Sequence, residues 1–267
     1  MEKNASKQKL GENYCNLGYF YEIGFELPQD YKKAMHYYQL GTEQGNPTAM
    51  NNIGWLYQNG FGVDQDLKQA AFWYEKAMDA GSGLAALNLG NILYALEDFE
   101  SAAECYVFAA RDGSAKGAFN LARMLYHREI EQDELPSPIE IFRKLEAEDE
   151  TDAIYYLGLA HEEGEWVRKN FKKAIAYYTK AGELGDAFSL CNLGRMYALG
   201  QGVKKDVVAA AGYYAQAAEA GDDVAMYNLA WCYEHGVGVE QDAEKAAEWY
   251  ARSNFKPIEG VHFDESN

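Results

Sequence analysis

Cations are scarce in this chain of 267 residues: 24 Lys and Arg stand against 42 Asp and Glu, a formal net charge of −18. A protein that neutralises a phosphate backbone needs a basic footprint, so nucleic acid is excluded as a main partner, and an anionic membrane surface is disfavoured on the same ground. Long apolar runs are missing too. Nothing approaches the ~18 consecutive apolar residues of a membrane span, and the polar start Met1-Glu2-Lys3-Asn4-Ala5-Ser6-Lys7-Gln8-Lys9 has no signal-peptide core. The four cysteines, Cys15, Cys105, Cys191 and Cys232, form no close pair. Without an export signal they read as free buried thiols in a reducing, cytoplasmic compartment.

Motifs of chemistry are equally thin. His161-Glu162-Glu163-Gly164 lacks the second histidine of a zinc-protease helix, and no Cys-x-x-Cys, nucleophile elbow or metal-ligand cluster occurs. His127 and His235 hold one repeat position three repeats apart, too distant to share an ion, while His36 and His262 stand alone. The expectation is a protein with no catalytic residues, no metal and no cofactor. What the chain does hold is aromatic side chains, 21 Tyr, 12 Phe and 5 Trp, which mark a folded body and not a disordered one.

Those rings are periodic. A small residue after an aliphatic one recurs at Gly18, Gly54, Gly90, Ala122, Gly158, Gly194 and Ala230, and an aromatic at Tyr38, Tyr74, Tyr106, Phe142, Tyr178, Tyr214 and Tyr250. Both registers step by 36 residues except for one step of 32, and the aromatic always precedes the next small residue by 16. The four missing residues therefore fall inside the third repeat, in the loop between its helices. Seven repeats follow, with approximate bounds 9–45, 46–81, 82–113, 114–149, 150–185, 186–221 and 222–253; residues 254–267 remain as a C-terminal cap and loose tail.

Each repeat reads as two short helices. The first carries small residues at Ala49, Ala85, Gly117, Ala153, Ser189 and Ala225, which allow close helix approach. It ends at Gly24, Gly60, Gly164, Gly200 or Gly236, and in three repeats a Gly-x-Gly-Val turn follows. That turn lacks the strand or the Gly-Lys-Ser/Thr context of a phosphate loop and is read as structural. The second helix opens on a capping residue, Asp30, Asp66, Asp98, Glu134, Asn170, Asp206 or Asp242, whose side chain suits the free amides and dipole of a first turn; Glu134 is the weak member. Pro138 replaces an otherwise regular alanine at the start of the fourth repeat's second helix. Helices this short must bury their faces on neighbours, so the fold is an all-α solenoid of about seven helix-pair repeats. Asparagines at 16, 52, 88, 120, 192 and 228 are read as structural bonds between repeats.

The run Asn51-Asn52-Ile53-Gly54-Trp55-Leu56-Tyr57, the turn Gly60-Phe61-Gly62-Val63-Asp64-Gln65-Asp66 and the helix Ala70-Ala71-Phe72-Trp73-Tyr74-Glu75-Lys76-Ala77 resemble the SEL-one-like repeat, a relative of the tetratricopeptide repeat. The third and fourth repeats depart from that pattern. The resemblance implies a right-handed α/α superhelix whose concave surface holds partner proteins or peptides, acting as an adaptor without catalysis. By analogy with tetratricopeptide repeats, partner-binding residues would be Tyr19, Trp55, Tyr94, Arg123, Tyr126, Tyr155, Arg195, Tyr227 and Trp231. The competing reading is that these rings pad helix contacts. A second candidate is the acidic stretch from 129 to 152, whose ten acids against two cations include Glu146, Glu148, Asp149 and Glu150. It is either a dock for a basic partner or a solvated face. Two rival functions are an inhibitor or immunity protein that blocks a toxin, and a cell-wall hydrolase, the latter lacking export signal and nucleophile motif.

Overall fold

The computed structural model describes residues 2–131 and 135–255. Among the described residues are fourteen helices and no strand: α1 (Glu2–Ile23), α2 (Tyr31–Glu43), α3 (Pro47–Asn59), α4 (Leu67–Asp79), α5 (Gly83–Ala95), α6 (Phe99–Arg111), α7 (Ala115–Tyr126), α8 (Pro138–Glu146), α9 (Thr151–Glu163), α10 (Phe171–Glu183), α11 (Ala187–Leu199), α12 (Val207–Glu219), α13 (Asp223–His235) and α14 (Ala243–Arg252). The backbone gathers into two compact units that part between Pro138 and Ile139. In the first, α1 to α7 each pack on the next helix in sequence; in the second, α9 to α14 do the same. The fold is an all-α solenoid. The odd-numbered helices are the first (A) helices of the repeats and the even-numbered ones the second (B) helices.

Local chemistry starts each B helix where the capping register places it. Asp30, Asp66, Asp98, Asn170, Asp206 and Asp242 are N-caps whose side-chain oxygens accept bonds from first-turn amides. The same residues clasp the loop from the other side. The backbone amide of Asp66 donates to the carbonyl of Tyr57, that of Asp206 to Tyr197 and that of Asp242 to Tyr233, closing the A–B connection. Glu134 lies outside the described residues, and α8 opens on Pro138, a residue suited to a first helical turn because it has no amide hydrogen to leave unpaired. The third repeat shows where its four residues went. Only 96–98 separate α5 from α6, against 60–66 between α3 and α4, and Glu97 takes the left-handed turn conformation at φ 62°.

The two registers meet inside the repeat. A Cβ added at Gly54 would lie 2.7 Å from the Tyr74 ring, and one at Gly194 2.6 Å from the Tyr214 ring; Gly18, Gly90 and Gly158 stand likewise against Tyr38, Tyr106 and Tyr178. The small residue is thus a seat for the B-helix aromatic of its own repeat. Contact between repeats falls to the other small positions: Ala49, Ala85, Ala153 and Ala225 are fully buried, and a Cβ at Gly41 of α2 would lie 2.8 Å from that of Ala49 on α3. The second glycine of the Gly-x-Gly-Val turn also joins repeats. A Cβ at Gly202 would lie 2.6 Å from the Cβ of Phe171, the first residue of the preceding B helix. The turn is a packing device.

Part of the asparagine register ties neighbouring A helices. Asn88 Nδ2 donates to Asn51 Oδ1 at 3.0 Å, Asn120 Nδ2 to Asn91 Oδ1 at 3.1 Å, and Asn52 Nδ2 faces Cys15 Sγ at 4.0 Å. The four cysteines are free and buried. Burial pushes the thiols of Cys15, Cys105 and Cys232 up to about 11. At the chain end Ser253 Oγ donates to the carbonyl of Asp223, and Phe255 packs edge-on against Tyr227. The rest of the tail, 256–267, lies outside the described residues.

Leucine at Gly194 must displace the Tyr214 ring, so G194L is expected to lower stability by roughly 1–3 kcal/mol, the usual range for overpacking a core. Thermal and urea melting check this, and an unchanged midpoint would count against the ring seat.

Candidate partner-binding surface

The B-helix tyrosines that rest on the small residues carry a hydroxyl to the far side of the packing layer, where the repeat must supply an acceptor. Four repeats do so from the position four residues after the small one. Tyr38 donates to Glu22 Oε2 at 2.5 Å, Tyr74 to Gln58 Oε1 at 2.7 Å, Tyr178 to Glu162 Oε2 at 2.9 Å and Tyr250 to Glu234 Oε2 at 2.8 Å. In the shortened third repeat Tyr106 instead uses Asn91 Oδ1 at 2.9 Å. The sequence marks the position four after the small residue as a surface-lining one, the one that holds Tyr94 and Tyr126, and does not show its role as acceptor. The members of this register vary among Glu, Gln, Tyr and Ala, and what unites the four acceptors Glu22, Gln58, Glu162 and Glu234 is the tyrosine 16 residues later. Burial is the main cause that raises these phenols, Tyr106 up to about 12, with Tyr38 and Tyr178 raised further by their Glu acceptors. A buried phenol bonded to a carboxylate is among the stronger hydrogen bonds of a protein, typically ~1.5–3 kcal/mol.

The nine candidate partner-binding residues sort by environment. In the first unit Tyr19 is 47% exposed, whereas Trp55 is half-buried and tilts against Phe61 at 5.1 Å. Tyr94 is half-buried, donates to Glu129 Oε1 at 2.9 Å and lies under the guanidinium of Arg123 at 4.8 Å. Tyr126 is 4% exposed and meets His127 edge-on, so it packs more than it presents. In the second unit Tyr155 is half-buried among Tyr156, Tyr178 and Phe188. Arg195 is half-buried and binds Glu162 Oε1 at 2.5 Å, with Gln201 and Asn192 as further acceptors. Tyr227 tilts against Tyr250, and half-buried Trp231 stacks on His235 at 4.5 Å.

A rule links these residues. The position four after the small residue in one repeat meets the position one after it in the next, as in Tyr94 with Arg123 and Glu162 with Arg195. Glu162 accordingly serves both Tyr178 and Arg195, joining two repeats through one carboxylate. The A-helix faces of each unit therefore form aromatic surfaces whose rings and cations are partly held by the protein itself. The acidic candidates lie where α8 gives way to α9. Lys180 of α10 bridges Glu146 at 3.4 Å and Asp149 at 3.5 Å, Glu148 is exposed, and Glu150 precedes α9 without a side-chain capping bond. One cation thus offsets part of that charge.

Among the described residues no group of three or more His, Cys, Asp or Glu is placed to hold a metal ion, and no helix is long and apolar enough to cross a membrane. His161 is buried, its ring stacked on Tyr177; desolvation lowers its pKa, and Lys173 and Arg143 add to the shift.

The family model of the Sel1 repeat matches at residues 14–46, 47–82, 151–186, 187–222 and 223–253. The chain belongs to the Sel1 repeat family. Between the second and third matched segments lie the shortened third repeat and the fourth repeat with its proline-led helix. Two solved Sel1-type structures superpose over most of the chain. One is c5321, a protective antigen of uropathogenic Escherichia coli strains displaying an SLR fold, 28% identical with a TM-score of 0.79 over 94% of this chain and 55% of that one. The other is a Sel1 repeat protein from Oxalobacter formigenes, 27% identical with a TM-score of 0.75 over 91% of this chain and 71% of that one. The chain thus spans about half the length of the E. coli protein. The immunity protein Pa5087 from Pseudomonas aeruginosa also matches, at 20% identity and a TM-score of 0.38, a likeness too loose to bear on function. No curated protein matches the chain.

The raised phenols give this Sel1 repeat chain a defined alkaline limit. The folded state holds these protons more tightly than the unfolded chain does, so their contribution is complete below the ordinary tyrosine pKa of ~10 and is lost as pH rises beyond it. Melting temperature is expected to hold level up to about pH 8, to fall as the unfolded chain's thiols ionise at ~8.5, and to fall further above about pH 10, with part of the tyrosinate absorbance appearing only as the helical signal is lost. Full phenol ionisation ahead of unfolding would contradict the buried tyrosine ladder.

Proposed function

We propose that the protein is a scaffold or adaptor that binds a partner protein or peptide on the A-helix faces of its repeats, by contact and without chemistry of its own. Sel1 repeat proteins in general mediate protein–protein interaction. The observation that carries the reading for this chain is a contrast between two kinds of position. Residues that seat the tyrosines and close the loops keep one chemical type from repeat to repeat. Those just after the small residue change from Tyr19 to Trp55, Asn91, Arg123, Leu159, Arg195 and Trp231. Packing alone asks for sameness in a repeat array, whereas a surface fitted to one partner asks for variation. Large aromatic side chains and arginine are also the residues that most often anchor interfaces.

Trp55 and Trp231 are the chosen anchors, one in each unit, because each is half-buried and leaves indole surface beside its packed edge. The acidic residues Glu146, Glu148, Asp149 and Glu150 are a further contact for a basic partner, favouring association at low salt. The working compartment consistent with free buried thiols is the cytoplasm.

Affinity capture from the native lysate, read by mass spectrometry, tests the proposal. The Trp55→Ala/Trp231→Ala double variant is expected to retain its helical spectrum and to lose at least about tenfold in partner recovery, the loss expected when a hot-spot residue is truncated. Unchanged recovery with an intact fold would overturn the surface assignment. Charge reversal at Glu146, Glu148 and Glu150 is expected to weaken binding and flatten its salt dependence.

A further inference from the structure

One repeat breaks the tyrosine–acceptor rule. In the sixth repeat the position that holds Glu22, Gln58, Glu162 and Glu234 elsewhere is Ala198, so among the described residues nothing takes the proton of the Tyr214 hydroxyl. The residue before the cap, where Gln29, Gln65 and Gln241 each donate back to the carbonyl of the acceptor residue, is Lys205 here, as it is Lys169 in the fifth repeat, which keeps its acceptor Glu162. Where Arg195 holds Glu162 in place from the following repeat, Trp231 stands at the equivalent position after Ala198, as Trp55 does after Glu22.

Beside Ala198 lies a cavity of about 80 Å³, lined mostly by apolar side chains such as Leu199, Val207 and Val237, with Tyr214, Asn228 and Trp231 also on its wall. At roughly 30 Å³ for a water molecule in the liquid, that is room for a small polar side-chain end, far below the few hundred Å³ of a metabolite pocket. Exposed Leu199 and Lys205 stand on its lining, so it reaches the surface. Two of its polar groups ask for opposite things. Tyr214 offers a donor. Asn228, 5% exposed, has an Oδ1 with no hydrogen-bond partner and so asks for one. A buried polar group left unpaired costs ~1–3 kcal/mol, which a ligand recovers by pairing it.

The chemistry of the occupant follows. An aliphatic end would satisfy neither group. A carboxylate would satisfy Tyr214 but press its charge on the Asn228 oxygen, and the nearby Arg195 is already committed to Glu162 at 2.5 Å. A primary amide carries an acceptor and a donor on one carbon, and this chain already seats one in the same place: Gln58 under Tyr74. We infer that the sixth repeat forms a socket for a glutamine side chain of the partner, whose amide oxygen accepts from Tyr214 and whose amide nitrogen donates to Asn228, with Trp231 as one wall. The partner thereby completes a repeat that the chain leaves one side chain short. This inference rests on the A-helix face being the docking surface.

The probe is propionamide, compared with propionate and butanone, which match it in size but lack the donor. Nitrogen-15 NMR follows the indole of Trp231 and the side-chain amide of Asn228. Propionamide is expected to shift both signals saturably, about tenfold tighter than either analogue, the worth of one hydrogen bond to an otherwise unpaired group. A198Q supplies the missing group from within the chain. It is expected to raise the melting temperature and abolish the shifts, while Y214F abolishes them with the helical spectrum retained. The socket is overturned if propionamide gives no saturable shift, if propionate or butanone binds as well, or if A198Q and Y214F bind propionamide like the parent. Should A198Q keep full partner capture while the Trp55/Trp231 double variant loses it, the socket fails and the docking face stands.

Discussion

A tyrosine ring set against a glycine is the contact on which the first, second, third, fifth and sixth repeats are built, and in all but the sixth the hydroxyl is delivered to an acceptor beyond. It sets the distance between the A and B helices, because no side chain larger than hydrogen fits at Gly18, Gly54, Gly158 or Gly194. It also sets their register, because the phenol must land on one residue of the facing helix. Helices of thirteen residues have little stability alone, so this locked pair is the smallest piece that makes sense. Stacking through Ala49, Ala85, Ala153 and Ala225 then buries one pair on the next.

The same contact explains how a repeat array can carry specificity without risking its fold. Position four after the glycine is half structural, accepting from the tyrosine, and half superficial, meeting the first residue after the glycine of the next repeat. Glu162 shows both uses at once, bonded to Tyr178 and to Arg195. Tyr94 shows another solution, with Arg123 over its ring and Glu129 taking its proton. A surface built at such positions changes its chemistry by single substitutions while the ring seat beneath stays put. Ala198 is the limiting case, where the structural half is dropped altogether and a cavity lies alongside.

Much of this architecture was legible because it is local. Helix starts at Asp30, Asp66, Asp206 and Asp242 depend on one side chain reaching amides two or three residues on. Helix stops at Gly60, Gly164, Gly200 and Gly236 depend on a backbone conformation that glycine alone adopts without strain. Bonds between repeats were anticipated from the fixed phase of the asparagines, and part of that register makes them. Tyr126 was harder: its place in the repeat resembles that of an exposed residue, but in the divergent fourth repeat it turns inward to 4% exposure. The sequence pattern spoke of a small residue and an aromatic in separate registers, and gave no sign that one is the seat of the other.

From the chain alone came the seven-fold period, the helix pairs, the caps and turns, the free thiols, the family resemblance and the place of the shortened loop, all of which rest on spacing or on chemistry within a few residues. Only the tertiary structure decided which partner each side chain takes: Tyr38 with Glu22, Tyr94 with Arg123, Arg195 with Glu162, and Tyr214 with none of its own. These pairings join atoms 16 to 33 residues apart on different helices, and a period in sequence fixes which positions recur but leaves open where their side chains end. Whether a residue is held or left open to a partner is settled by those endpoints.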